Sequence, residues 1–568
     1  MTSRSFRRLA AAVPIDPGRD RELDAALARV GWETGSRTLR SLAILAAAAT
    51  AVLTVACAPL APLLAAVVCL LGASGTAAVL CGPRLLAAAD RARADGDGPG
   101  FVCRATLGIA LHGTLEAAVD TASDGPLGRE LTRCVAAAHG DPVAGWRAFR
   151  ERVADRSPAF AGSLALLDAA TDAPPAERDR LLDAAVAAAR RATRERFGDY
   201  AAALHGPVSG VYAFGVVLPL ALVGVLPVLP SAGATIPLGA LALCYDVALP
   251  LALAAASAWL VARRPLALPA PGVPTDHPDV PDSPAGPLAL GLAAGVAGSL
   301  ACRLVVPTAA PVTGVGLALG IGLLAFSRPR EAIRDRYERV ARGLPAATTA
   351  AATRLVAGDP PERALTAAGS VPGSTGDVFA DAATRRRALS LTPTDAVSGP
   401  YGALPTDALP GVARTVRLLV TAADAGPRGG RVLRDYADAR HGLHELAADL
   451  RAELGHTTGT LRTTGRFFAP GIAGATVALA GRVRGLGQPA GTPLAAASAG
   501  APTETFAVGT LALVVGAYVL WLAALLPVLA AGLDGPLDRT ALAGAAGRGL
   551  LAASVVFPAT LCTTGRLV

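Results

Sequence analysis

The chain has 568 residues, 52% of them hydrophobic and 17% charged, with a mean hydropathy of +0.46. Soluble domains carry about 25% charged residues, so the composition excludes an ordinary soluble protein and points to membrane segments alternating with polar blocks. The net charge is +8 and every basic residue is arginine. Aromatic residues make up only 4% of the chain, too few for the interleaving of basic and stacking side chains that holds nucleic acid, so nucleic acid is not expected as a partner.

A bilayer core of about 30 Å needs roughly 20 apolar residues in a helix. In chain order, nine stretches approach that length: 41–57, 60–81, 207–230, 237–262, 286–306, 310–327, 467–483, 504–531 and 544–563. Residues 1–40 are polar and arginine-rich, and the first apolar run starts too late for a cleaved leader. That segment is expected in the cytoplasm, ahead of a transmembrane hairpin over 41–83. The polar blocks 84–206 and 328–466 are rich in Ala and Leu, with apolar stripes at helical spacing such as Leu181, Leu182, Ala185, Val186 and Ala189, so each is expected to be an antiparallel helical bundle. Between them lie a transmembrane pair over 207–262, a proline-rich linker over 263–285 and a second pair over 286–327. The remainder, 467–568, is expected to hold about three more membrane helices. The fold class expected is therefore all-α and polytopic, with about nine spans.

Arginines fix the expected orientation. Arg37 and Arg40 precede the first span, Arg84, Arg91 and Arg93 follow the second, and Arg190, Arg191, Arg194 and Arg196 precede the third. Arg263 and Arg264 follow the fourth, Arg328, Arg330 and Arg334 follow the sixth, and Arg462 and Arg466 precede the seventh. If all nine stretches cross, these ends share one side. The positive-inside tendency then places the first 40 residues and both polar blocks in the cytoplasm.

The two blocks also resemble each other. Leu166-Leu167-Asp168-Ala169-Ala170-Thr171-Asp172-Ala173-Pro174-Pro175 aligns with Leu418-Leu419-Val420-Thr421-Ala422-Ala423-Asp424-Ala425-Gly426-Pro427, and the same offset sets Leu181 on Leu433 and Asp183 on Asp435. Duplication is the expected reading.

Chemistry is sparse. Without lysine there is no phosphate-cradling Walker loop and no Schiff-base amine. His441-Gly442-Leu443-His444-Glu445 has the order HxxHE, which is neither the HExxH nor the HxxEH zinc pattern. The eight cysteines form no CxxC pair. No enzyme activity, cofactor or metal is expected. Asp246 stands in an apolar stretch, Cys244-Tyr245-Asp246-Val247. Burying a carboxylate there is costly, which makes it a candidate intramembrane polar site.

Three stretches carry a family resemblance: Leu344-Pro345-Ala346-Ala347 with Arg354 to Leu365; Ala422-Ala423-Asp424-Ala425-Gly426-Pro427 with Gly430-Arg431-Val432-Leu433 and Tyr436-Ala437; and Phe468-Ala469-Pro470-Gly471-Ile472-Ala473-Gly474. They resemble the F-domain platform proteins of type II secretion and type IV pilus assembly, above all the archaeal pilus and archaellum forms. The first block departs further, with Pro174-Pro175 where the family has Gly-Pro. The resemblance implies a non-enzymatic platform in the cytoplasmic membrane, partnered by a hexameric secretion ATPase, pilin-like subunits and the lipid bilayer, with homo-oligomers possible. It makes Asp424, Arg428, Arg431, Arg434 and Asp435 the candidate partner-docking residues. A multi-pass transporter with duplicated halves is the competing expectation. Orientation is open to a direct check. A reporter cysteine placed at Arg386 is expected to react with an impermeant thiol reagent only after the membrane is opened, and labelling from outside intact cells would overturn the topology.

Overall fold

The computed structural model describes residues 35–57, 96–225, 238–262, 285–404, 410–486, 508–535 and 538–567, with isolated positions between 18 and 87. Every regular element among them is a helix. The first apolar helix is α1 (Ser36–Cys57). A helical region follows: α2 (Gly98–His112), α3 (Leu115–Ala122), α4 (Gly125–Ala137), α5 (Pro142–Arg156), α6 (Pro158–Asp172) and α7 (Pro175–Tyr212). A π turn, π1 (Ala213–Val217), leads into α8 (Leu218–Val225). Then come α9 (Leu238–Leu243), π2 (Cys244–Ala248), α10 (Leu249–Ala262), α11 (Ala285–Val305) and the long α12 (Ala310–Val356). A second helical region consists of the end of α12, α13 (Pro361–Ala368), α14 (Ser374–Leu389), α15 (Pro393–Ser398), α16 (Pro410–Asp424) and α17 (Gly426–Thr463). The chain continues through π3 (Thr464–Phe468), α18 (Ala469–Leu486), α19 (Val508–Asp534) and α20 (Arg539–Leu567).

Short-range chemistry sets the helix starts in the first region. Prolines occupy the first turns of α2, α4, α5, α6 and α7, where a missing N–H costs nothing. Thr114, Asp141 and Ser157 accept hydrogen bonds from the free N–H groups of α3, α5 and α6, as helix caps do. Inside, Phe101, Trp146 and Phe149 form an aromatic cluster with Leu127, Leu131, Leu164 and Leu167, all nearly or fully buried. Arg104 and Asp97 are buried together as an ion pair at 2.9 Å, and Arg104 also donates to the Asp124 carbonyl at 2.9 Å. The second region packs Leu344, Ala351, Leu365, Phe379, Val416, Leu419 and Leu433 into its own core. Cys103 and Leu107 of α2 are buried in that second core, so the two regions are packed against each other.

Seven helices among the described residues are long and apolar enough to cross a membrane: Ser36–Val55, Pro175–Val225, Gly239–Ala262, Ala285–Val305, Pro307–Val356, Gly509–Asp534 and Arg539–Arg566. The chain is an all-α, multi-pass membrane protein. Nine were expected. The stretch 60–81 lies almost wholly outside the described residues, and so does the linker 263–285. The stretch 467–483 does form α18, but α18 is not among the seven, because four glycines with Arg482 and Arg484 dilute its 18 residues. The boundaries drawn at 206/207 and 327/328 fall inside continuous helices, α7 and α12. A helix satisfies its own backbone in water and in lipid alike, so passing from one to the other demands no break.

Small residues let the membrane helices approach closely. A Cβ on Gly295 would lie 2.7 Å from the Gly314 carbonyl oxygen and 2.6 Å from the Ala318 Cβ, which brings the α11 and α12 backbones together. On another face of α12, a Cβ on Gly320 would lie 3.0 Å from the Leu551 nitrogen and 3.2 Å from the Gly547 carbonyl oxygen of α20. Gly320→Leu is therefore expected to force α12 and α20 apart at a cost of about 1–3 kcal/mol, lowering the thermal unfolding midpoint in detergent. Gly286→Leu, whose added carbon would meet nothing within 4 Å, is the control and is expected to leave the midpoint unchanged.

Candidate functional site: a cleft between two matched helices

The two helical regions repeat one succession. α3 and α13 are each 8 residues long, α6 and α16 each 15, α7 and α17 each 38, and π1 and π3 each 5. Differences fall at α4, with 13 residues against 16 for α14, at α5, with 15 against 6 for α15, and at α2, whose counterpart is the end of α12 rather than a separate helix. Ala425 alone connects α16 to α17, and α17 opens on Gly426 at φ +62°, a left-handed conformation that glycine adopts without strain. The first region makes the same connection through Pro174, at φ −58° and ψ 155°.

α7 and α17 lie side by side. The Arg190 guanidinium donates to the Gly442 carbonyl at 3.4 Å across a separation of 252 residues, the same offset that aligns the two sequences. The next pair along, Arg194–Asp449, stands at 3.7 Å. Residue numbers rise together on both helices, so they run parallel. Equivalent positions meet, as they would about a local twofold axis lying along the pair. Exposed Arg417 of the second region also reaches Asp124 of the first at 3.6 Å.

Where α2, α7 and α17 diverge they leave a solvent-open cleft of about 560 Å³. Asp179 and Asp183 line it from α7, and Arg428, Arg431, Asp435 and Asp438 from α17. Asp183 and Asp435 are equivalent residues facing one cavity. Burial raises both carboxyls above the usual aspartate range, with Asp179 adding to the shift at Asp183, and Asp183, Asp438 and Asp179 adding to it at Asp435. Like charges held close together disfavour the ionised form.

Four of the residues expected to dock a partner are thus placed by their side chains. Arg428, Arg431 and Asp435 line the cleft. Arg434 instead donates to Thr353 Oγ1 at 3.3 Å. Asp424 ends α16, and its side chain lies outside the described ones. Leu433 and Tyr436, in the same stretch, are buried. The face carrying Arg431, Asp435 and Asp438 is exposed, as a charged stripe at helical spacing implies, and it lines the open cleft shared with α7. Asp246 sits apart from the cleft, in π2, on an exposed surface of its helix. His441 and Glu445 pair at 3.3 Å and His444 bonds the Arg440 carbonyl at 2.9 Å. Among the described residues, no group of three or more His, Cys, Asp or Glu side chains is arranged to hold a metal ion. The sequence set Asp183 on Asp435, but Asp179, Asp183 and Arg190 were not counted among the docking residues, and so the α7 half of the cleft was not assigned. The signal that would have found it was the 252-residue offset, which sets Asp183 on Asp435 and Arg190 on Gly442.

The cleft gives stability a pH dependence of known sign. A carboxyl raised in the folded protein binds its proton more tightly there than in the unfolded chain, so its contribution is present at low pH and is lost as pH rises through the folded value. Asp435→Asn removes one of the facing charges. The variant is expected to be more stable than the wild type at neutral pH, with the gain vanishing as pH falls below the carboxylate range. Thermal unfolding followed against pH in detergent reads this directly, and parallel curves for the two proteins would contradict it.

Compared with protein-family models, curated proteins and solved structures, the chain matches none.

Proposed function

We propose that the protein is a non-enzymatic platform of a type IV pilus-like or type II secretion machine in the cytoplasmic membrane, coupling a cytoplasmic secretion ATPase to the assembly of pilin-like subunits. One observation carries the reading: two helical regions of the same helix succession stand side by side, and each passes into apolar helices through one long helix, α7 in the first and α17 in the second. Parallel stems of this kind suit a part that receives force at one end and delivers it at the other. The composition fits the same role, because a chain without lysine has no Walker loop and needs a partner to supply nucleotide hydrolysis.

In this reading the first 40 residues and both regions face the cytoplasm, where the arginines beside the spans hold them. The stretches 60–81 and 467–483 complete nine crossings, and each region acts as a helical bundle. α18 favours this count. It packs Ala469, Ala473, Val477 and Ala480 into the core formed with α19 and α20, while Ile472 and Leu479 stay exposed on its outer face, as a lipid-facing span would have. The ATPase docks at the α17 side of the cleft, where Arg428 and Arg431 are exposed at its mouth and can set register and encounter rate with an acidic partner. A transporter is disfavoured by the placement of Asp246 on an exposed helix surface and by the mass of the two helical regions.

Arg428→Glu combined with Arg431→Glu tests the docking site. Both residues are exposed, and surface changes cost little folding stability. The variant is expected to insert at wild-type level, to lose co-purification with its cognate secretion ATPase, and to assemble no filaments. Unchanged ATPase capture and normal filaments would sink the docking assignment.

A further inference from the structure

Among the described residues three π turns interrupt the helices, and each is followed, after one residue, by proline: π1 by Leu218-Pro219, π2 by Leu249-Pro250 and π3 by Ala469-Pro470. The sequence Leu-Pro-Leu-Ala-Leu occurs at both 218–222 and 249–253. Proline has no N–H, and its ring collides with the carbonyl four residues back. Widening one turn moves that carbonyl aside, and such turns are sites of bending. Prolines at 207, 329, 345, 527 and 558 also lie inside helices, but without a π turn.

At π1 the freed carbonyl has an unusual partner. Pro219 cannot return a bond to Gly215. The Tyr518 hydroxyl of α19 donates to the Gly215 carbonyl instead. Tyr245 of π2 donates to the carbonyl of Pro219 itself at 2.6 Å. Both tyrosines are buried, at 0% and 1% exposure, and their rings meet edge to face with centroids 5.4 Å apart. A Cβ on Gly215 would lie 2.6 Å from Leu253 Cδ2, so glycine lets α10 lie this close to the turn without displacing that side chain. No water is at hand in an apolar core to replace a lost hydroxyl donor.

We propose that π1 and π3 are a matched pair of hinges, about which the stems α7 and α17 pivot against the membrane helices, and that Tyr518 and Tyr245 form a latch holding the first hinge shut. Three observations place the hinges. Each lies directly after a 38-residue stem. Each precedes a proline that leaves one carbonyl, Gly215 or Arg466, without its helical N–H partner. The stems touch at Arg190 and Gly442, so a pivot at one is carried to the other. The latch belongs to one hinge only: among the described residues, no side chain donates to the Arg466 carbonyl, which Pro470 leaves without its helical partner. The pair is therefore asymmetric, one hinge held and one free.

The test uses the full chain in lipid nanodiscs, with native cysteines replaced and spin labels at the exposed positions Arg191 of α7 and Leu222 of α8. Tyr518→Phe removes only the latching hydroxyl. It is expected to broaden the distance distribution across π1 and to speed amide exchange at 216–222 by about tenfold. Adding Pro219→Ala supplies the missing N–H to Gly215 and is expected to restore the narrow distribution. An unchanged distribution in Tyr518→Phe, or no recovery on adding Pro219→Ala, would overturn the proposal. Should Tyr518→Phe fail to insert, Pro219→Ala alone decides: a distribution narrower than wild type supports the hinge, and the same width refutes it.

Discussion

The contact between α7 and α17 is the constraint on which the rest of the molecule depends. Two 38-residue helices touch at positions 252 residues apart, so the regions they belong to face the same way. Both stems must enter the apolar helices from the same end, and the chain between them must cross an even number of times to return. The apolar helices Gly239–Ala262 and Ala285–Val305, together with the apolar parts of the Pro175–Val225 and Pro307–Val356 runs, are four stretches long and apolar enough to do so. The geometry of one helix pair thus dictates the parity of the intervening membrane segments.

The molecule uses different physics on either side of the point where α7 and α17 reach the apolar helices. In the helical regions the cores are aromatic and aliphatic, with Phe101, Trp146 and Phe149 in the first and Phe379 and Leu419 in the second. Burial there removes apolar surface from water, the usual driving force. Among the apolar helices that force is absent, since lipid is as apolar as leucine, and packing falls to glycine and to hydroxyls. Gly291, Gly295 and Gly314 bring α11 onto α12, Gly320 and Gly547 bring α12 onto α20, and Tyr245 and Tyr518 serve backbone carbonyls.

Much of this was legible in the sequence. The all-helical class follows from Ala- and Leu-rich segments without period-two alternation, and the apolar helices from run length alone. The repeat showed itself in the Leu166–Pro175 and Leu418–Pro427 alignment. Three things were not legible. Helix continuity across 206/207 and 327/328 was hidden because a change in polarity mimics a boundary although the backbone does not register it. The partner across from Arg431, Asp435 and Asp438 was hidden because an exposed charged stripe at helical spacing gives the same pattern whether it faces bulk water or lines an open cleft. The π turns went unread although their cause, the recurring Leu-Pro and Ala-Pro pairs, was in plain view, since most prolines inside these helices produce no such turn.

The parallel pairing of α7 with α17 is tested most directly by bridging equivalent residues. Ala187 and Ala439 are 252 positions apart, like Arg190 and Gly442, and both line the cleft. Replaced together by cysteine in a background free of the native ones, they are expected to be joined within a single chain by a short bifunctional maleimide, while the single variants give no such product. Bridging only between chains, or no bridging under conditions that label both cysteines separately, would contradict the pairing and with it the account of two matched stems.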